Sequence, residues 1–118
     1  MALEDFKKAL KSTGEIEITV TGRRPGRETT RPVWFVQDAD AVYLVPVKGS
    51  DSEWYKNVAK NPTIPLAAKG IRWTAKATPI TDPAPVRDIV ERFRTKYGAG
   101  EVKKYYSTLD VAVKVPLA

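Results

Sequence analysis

The feature that most limits what this chain can fold into is a series of short apolar–polar alternations, each closed by a turn signal. Ile16, Ile18 and Val20 alternate with Glu15, Glu17, Thr19 and Thr21. A period of two puts one set of side chains on one face, the pattern of a half-buried strand. Gly22 to Arg27, with Pro25-Gly26 inside it, reads as a turn. A second strand over 29–36 carries Val33, Trp34, Phe35 and Val36 with little alternation, as expected where both faces are covered. Asp38-Ala39-Asp40 connects it tightly to a third strand over 42–47. Segments 64–68 and 71–79 flank Lys69-Gly70, a hairpin signal, and Pro65 points to an edge position or a bulge. Val111, Val113 and Val115 make the last strand.

Helices punctuate this series. Leu3, Phe6, Ala9 and Leu10 form one apolar stripe ended by Gly14. After Ser50 or Asp51 as a cap, Trp54, Tyr55, Val58 and Ala59 follow helical spacing until Asn61-Pro62. Val86, Ile89, Val90, Phe93 and Tyr97 are the apolar face of the longest helix, which Gly98 and Gly100 terminate, and 102–106 reads as a further helical turn. The order is helix, three strands, helix, two strands, helix, strand. Six mostly antiparallel strands suit an α+β barrel, closed or half-closed, with helices across its mouths and few free sheet edges. At 118 residues the chain is read as one domain spanning 1–118.

Composition removes whole chemistries. The chain contains neither cysteine nor histidine. Disulfides, thiolate metal sites and Ser-His or Cys-His nucleophiles are therefore excluded, and no metal site is expected. No apolar run approaches the ~18 residues that span a bilayer, and Glu4, Asp5, Lys7 and Lys8 interrupt any signal-peptide core, so cytoplasmic residence is the default expectation. The net charge of +6 favours anionic partners, and four arginines (Arg23, Arg24, Arg27, Arg31) crowd into 23–31.

Three constellations could carry function. Gly22-Arg23-Arg24-Pro25-Gly26-Arg27 combines a freed backbone with guanidinium forks that suit phosphate or carboxylate; the competing reading is a solvated turn. Pro46-Val47-Lys48-Gly49-Ser50 runs from a strand into a helix, where free N–H groups, Ser50 and Lys48 could cradle a phosphate. Trp54-Tyr55 point about 100° apart on a helix, so one can fill the core while the other covers a ligand. Tyr105 and Tyr106, beside Lys103 and Lys104, are candidate catalytic proton donors, with structural burial as the alternative.

In combination these residues resemble the flavin and deazaflavin oxidoreductases of the split-barrel, pyridoxamine phosphate oxidase-like superfamily. The resemblance rests on Thr21-Gly22-Arg23-Arg24-Pro25-Gly26, Arg31-Pro32-Val33-Trp34-Phe35-Val36, Tyr43-Leu44, Lys48-Gly49-Ser50, Trp54-Tyr55-Lys56-Asn57 and Asn61-Pro62. It implies a six-stranded split β-barrel, a homodimer with the cofactor near the subunit interface, and F420 or FMN as that cofactor. Arg23 and Arg24 would hold the anionic tail. Pro32, Val33 and Trp34 would lie beside the ring, Val45, Val47, Lys48, Gly49 and Ser50 would contact ring and phosphate, and Trp54 would wall the ring. Thr29 stands where many F420-binding relatives carry arginine. The implied function is hydride transfer between F420 or FMN and a small organic substrate, such as a quinone or nitro compound. The alternatives are a non-catalytic binder of a flavin-like cofactor and, more remotely, a basic nucleic-acid-binding domain.

Overall fold

In the computed structural model, which describes residues 2–22, 27–38 and 40–117, the alternations set the architecture. Helix α1 (Ala2–Lys11) buries Phe6, Ala9 and Leu10 of its predicted stripe, with Leu3 partly buried beside them. Strand β1 (Ile16–Thr21) follows the predicted alternation, with Ile16, Ile18 and Val20 buried. It pairs antiparallel with β2 (Glu28–Val33) and with β5 (Thr63–Ala68), which pairs in turn with β6 (Ile71–Lys76). The second sheet consists of β3 (Val36–Gln37), β4 (Ala41–Leu44), β8 (Ala112–Pro116) and β7 (Thr78–Ile80), in that order. Helices α2 (Glu53–Lys60), α3 (Pro83–Tyr97) and α4 (Ala99–Tyr105) complete the described chain.

The α+β class stands, but the expected six strands in one barrel are replaced by eight strands in two four-stranded antiparallel sheets. The strands expected over 29–36 and 71–79 are each cut in two, and each cut is a corner where the chain passes from one sheet to the other. At the first, Val33 still pairs with Ile16 and Val36 already pairs with Tyr43. Between them the Phe35 peptide is held by helix side chains: its N–H donates to Tyr97 Oη at 3.0 Å, and its carbonyl accepts from Lys96 Nζ at 2.8 Å. At the second, Ala77 gives its N–H to the Pro62 carbonyl at 2.7 Å, closing the β5–β6 ladder, and Thr78 then pairs with Lys114. Followed through the two corners, pairing visits every strand in turn, but the hydrogen-bonded ladder is open at both, so no closed barrel forms.

Three local expectations shift for identifiable reasons. Strand β4 stops at Leu44 rather than Val47, because Pro46 has no N–H to donate to a ladder. Helix α2 starts at Glu53, after a 3-10 turn over Gly49–Asp51. Pro65 lies in an inner strand, not at an edge; β1 pairs with β5 only at Leu66 and Ala67, so the missing N–H falls beyond the end of that ladder.

Two hydrophobic clusters hold the elements together. One fills the space between the sheets with Phe6, Ile18, Phe35, Leu44, Ile64, Leu66 and Val113. The other packs the α3 face (Val86, Ile89, Val90, Phe93) and Val102 of α4 against Val36 and Ala112 of the second sheet and Val45 just past the end of β4.

Candidate functional site

The first corner, the β4–α2 loop and α4 enclose a cleft of about 800 Å³. Pro32, Val33, Trp34, Val45, Val47, Lys48, Trp54, Tyr105 and Tyr106, all singled out in the sequence, line it together. They come from four separate stretches of chain, and the fold brings them to one place. Val47 and Tyr105, at 45% and 49% exposure, are the large hydrophobic side chains left most open among the described residues, and both face this cleft. Exposed apolar surface gathered in a concavity is the usual mark of a ligand site.

Its aromatic wall is built on Trp34. The indole stacks on Tyr97 with ring centroids 4.3 Å apart and planes within 5°, and Tyr105 meets it edge-on at 5.6 Å. Tyr106 completes the wall at 6.0 Å. The Tyr97 hydroxyl accepts from the Phe35 N–H and lies 2.8 Å from the Gly14 carbonyl and 2.9 Å from that of Phe35, so the ring behind Trp34 is locked. Burial raises the phenol of Tyr97 above its ordinary value, and burial pushes Tyr106 further still. At neutral pH Tyr106 therefore keeps its proton and serves as packing, while Tyr105 is the phenol open to the cleft. Trp54 belongs to the core as well as the cleft, and Tyr55 is core.

The proposed phosphate cradle takes a different form from the one expected. Gly49 is buried with φ +58°, and a Cβ there would collide with Asp110 and Thr108. Ser50 donates both its N–H (2.9 Å) and its hydroxyl (2.6 Å) to the Asp110 carboxylate. That side-chain hydrogen bond from Ser50 is the main reason the Asp110 carboxyl lies below its ordinary value. The loop thus already holds an anion, supplied by its own chain. Ser52 Oγ accepts from the Lys48 N–H at 3.0 Å, which fixes the backbone under the Lys48 side chain. Gly49 and Ser50 stand beside the cleft rather than in its lining.

Arg23 and Arg24 lie outside the described residues. The residues on either side are described: Gly22 N–H donates to the Arg27 carbonyl at 2.5 Å, and Asn61 Nδ2 reaches the carbonyls of Thr21 and Gly22 at 3.3 and 3.2 Å. Asn61, read from sequence as a helix stop and as part of the resemblance, thus pins the exit of β1. The cleft also contains what the sequence reading missed, the acidic residues Glu15, Asp51, Glu53 and Glu101, against Arg31 and Lys48 as its cations. Nothing in their spacing along the chain marks these four as neighbours. Among the described residues no group of acidic side chains is arranged to hold a metal ion, and no helix is long and apolar enough to cross a membrane.

The fold recurs in solved structures of low identity. An F420-H2 dependent reductase (FDR-A) is 20% identical with a TM-score of 0.68, over 86% of this chain and 93% of that one. A candidate pyridoxamine 5'-phosphate oxidase from Listeria innocua is 14% identical with a TM-score of 0.72, over 98% and 94%. HutZ, a haem storage protein from Vibrio cholerae, is 12% identical with a TM-score of 0.71, over 96% and 87%. These likenesses define the class by fold: the architecture of the pyridoxamine phosphate oxidase-like proteins. No curated protein matches the chain in sequence. A family profile described as "Uncharacterized protein conserved in bacteria (DUF2255)" matches residues 7–114, and the chain belongs to that family.

Proposed function

We propose that the cleft beside Trp34 binds a flavin-type cofactor, F420 or FMN, and that the protein is an oxidoreductase working on a small organic substrate such as a quinone or nitro compound. The observation that carries this reading is the convergence of Trp34, Trp54, Tyr105 and the apolar Val33, Val45 and Val47 on one open cleft. Its volume falls within the few hundred to ~1,000 Å³ of sites that bury a drug-sized ligand. The residues fit a planar ring: stacking faces, an apolar floor, and Lys48 and Arg31 as the cations for an anionic tail. With Ser50 committed to Asp110, tail binding falls to these two and to the Arg23-Arg24 turn. Such a cofactor, once bound, supplies the hydride chemistry. The chain's own part is to place the ring against Trp34, to exclude water with Val47 and Tyr105, and to offer the Tyr105 hydroxyl as a hydrogen-bond donor. This asks for positioning more than for a protein base, which suits a chain without histidine.

Homodimerisation, with the cofactor near the subunit interface, single-domain organisation and cytoplasmic residence belong to the same reading. The F420-dependent reductase and the pyridoxamine phosphate oxidase-like neighbour support the cofactor class, and the haem storage neighbour supports a non-catalytic variant of it. The experiment is a thermal-shift and absorbance titration with FMN and F420 on the wild type and on Trp34→Ala. The expected result is a melting-temperature rise with one cofactor and about tenfold weaker binding in the variant, the equivalent of ~1.4 kcal/mol of lost stacking. No response to either cofactor overturns the reading. Binding without reduction of any quinone or nitro acceptor leaves the non-catalytic binder as the function.

A further inference from the structure

A second cleft, of about 470 Å³, lies between the end of α1, strand β3 and the last turns of α3. Its charge is one-sided: among the described residues Lys11, Arg92 and Lys96 line it and no carboxylate does. The nearest acid partner is Asp38, 3.8 Å from Arg92 Nη1, while Arg92 Nη2 donates to the Gln37 carbonyl at 2.8 Å. Lys96 has no ion pair among the described residues; its Nζ sits 3.5 Å from the centroid of the Phe35 ring and donates to the Phe35 carbonyl. Burial lowers the pKa of this ammonium, the sign of a cation without full compensation. Thr13 and Thr95 give their hydroxyl protons to the carbonyls of Glu15 and Glu91, at 2.9 and 3.1 Å. Among the described residues Gln37 Oε1 is the buried side-chain acceptor with no hydrogen-bond partner.

These observations define a ligand with two properties. The Lys96 ammonium, partly removed from water, calls for negative charge, and a buried acceptor without a partner calls for a donor. A tetrahedral oxyanion that keeps one proton has both. We propose that this cleft binds phosphate or a phosphate monoester, with Lys11, Arg92 and Lys96 facing the charge and the Gln37 side chain turning its Oε1 into the cleft to accept from the ligand's hydroxyl. The proposal is independent of the cofactor reading, because it uses none of the residues that line the first cleft.

Sulfate provides the test, since it matches phosphate in shape and charge but carries no proton near neutral pH. Amide NMR titrations of the full chain with inorganic phosphate, sulfate and glycerol phosphate, at matched ionic strength, separate the possibilities. Phosphate is expected to shift the amides of Thr13, Gln37 and Thr95 and to bind about fivefold more tightly than sulfate, the worth of one hydrogen bond. Gln37→Leu should abolish that preference, and Lys96→Met should weaken both anions about tenfold, as for a charged hydrogen bond. Glycerol phosphate binding at least as well as inorganic phosphate assigns the site to monoesters; weaker binding assigns it to the free ion. Equal binding of phosphate and sulfate by the wild type overturns the proposal. So does a response confined to the neighbourhood of Lys48 and Ser50, or the absence of a saturable shift.

Discussion

The two clefts share a single peptide and little else. Consecutive residues of α3 hold Phe35, Tyr97 through its N–H and Lys96 through its carbonyl; Tyr97 backs Trp34 in the wall of the first cavity, and Lys96 lines the second. Among the described residues, the first cavity is aromatic and lined by more carboxylates than cations, and the second is cationic and has no carboxylate in its lining. A planar ring fits the first and a bare oxyanion fits the second. Net charge belongs to the whole chain, whereas recognition depends on which charges are left unpaired in one place. The +6 surplus pointed to an anion but not to the cleft that would hold it.

The strongest way to break the comparison is Gly49→Ala. The residue needs a left-handed φ, and its methyl group would run into Asp110 and Thr108. Roughly 1–2 kcal/mol for the backbone and 1–3 kcal/mol for overpacking give a loss of about 2–5 kcal/mol, read by urea unfolding. The damage should fall on the first cleft: amides of Lys48, Ser50 and Ser107 move, while the phosphate response of Thr13 and Thr95 persists in the folded protein. Equal disturbance of both clefts would show that they are one mechanical unit.

Tyr97→Phe sharpens the same question at the shared peptide. The ring that stacks on Trp34 is kept, and only the hydroxyl that accepts from the Phe35 N–H is removed. Leaving that donor unmatched should cost about 1–3 kcal/mol. Here amides on both sides, Trp34 and Gln37, should respond. A variant as stable as the wild type would mean that the corner at Phe35 is held by packing alone.

Most of the fold was legible because period-two alternation and glycine–proline punctuation are local properties. Ile16, Ile18 and Val20 announced their strand without any knowledge of the rest. The corners at Trp34-Phe35 and at Ala77 were not legible. A strand that changes sheets keeps its β-type residues, and the bend at Phe35 is set by Tyr97 and Lys96, some sixty positions away. The cleft was readable to the extent that Trp34, Lys48, Trp54 and Tyr105 match a known arrangement. Its carboxylates and the Ser50–Asp110 contact were invisible, since nothing in the local sequence of Asp110 marks it as the counterpart of a loop sixty residues earlier.

That contact gives the smallest effect and a pH signature of its own. Ser50 donates two hydrogen bonds to the Asp110 carboxylate, chiefly through its hydroxyl, and the folded-state pKa lies below the ordinary value near 3.9. A depressed carboxyl pKa contributes stability that is fully present above the unfolded value and is lost as pH falls through the folded one. Asp110 is exposed, so solvent screening limits the contribution to no more than about 1 kcal/mol. Asp110→Asn should therefore be slightly less stable than the wild type at pH 7, and the two should converge below about pH 4. Asp38, whose pKa is also lowered, titrates identically in both proteins and cancels in the difference. In the same variant the Ser50 N–H no longer faces a carboxylate, so added phosphate should perturb Ser50 more than in the wild type while Thr13 and Thr95 respond as before. A stability gap that persists once the folded-state Asp110 carboxyl is protonated, followed by its side-chain NMR titration, would show that the shape of the side chain, and not its charge, holds this loop against the first cleft.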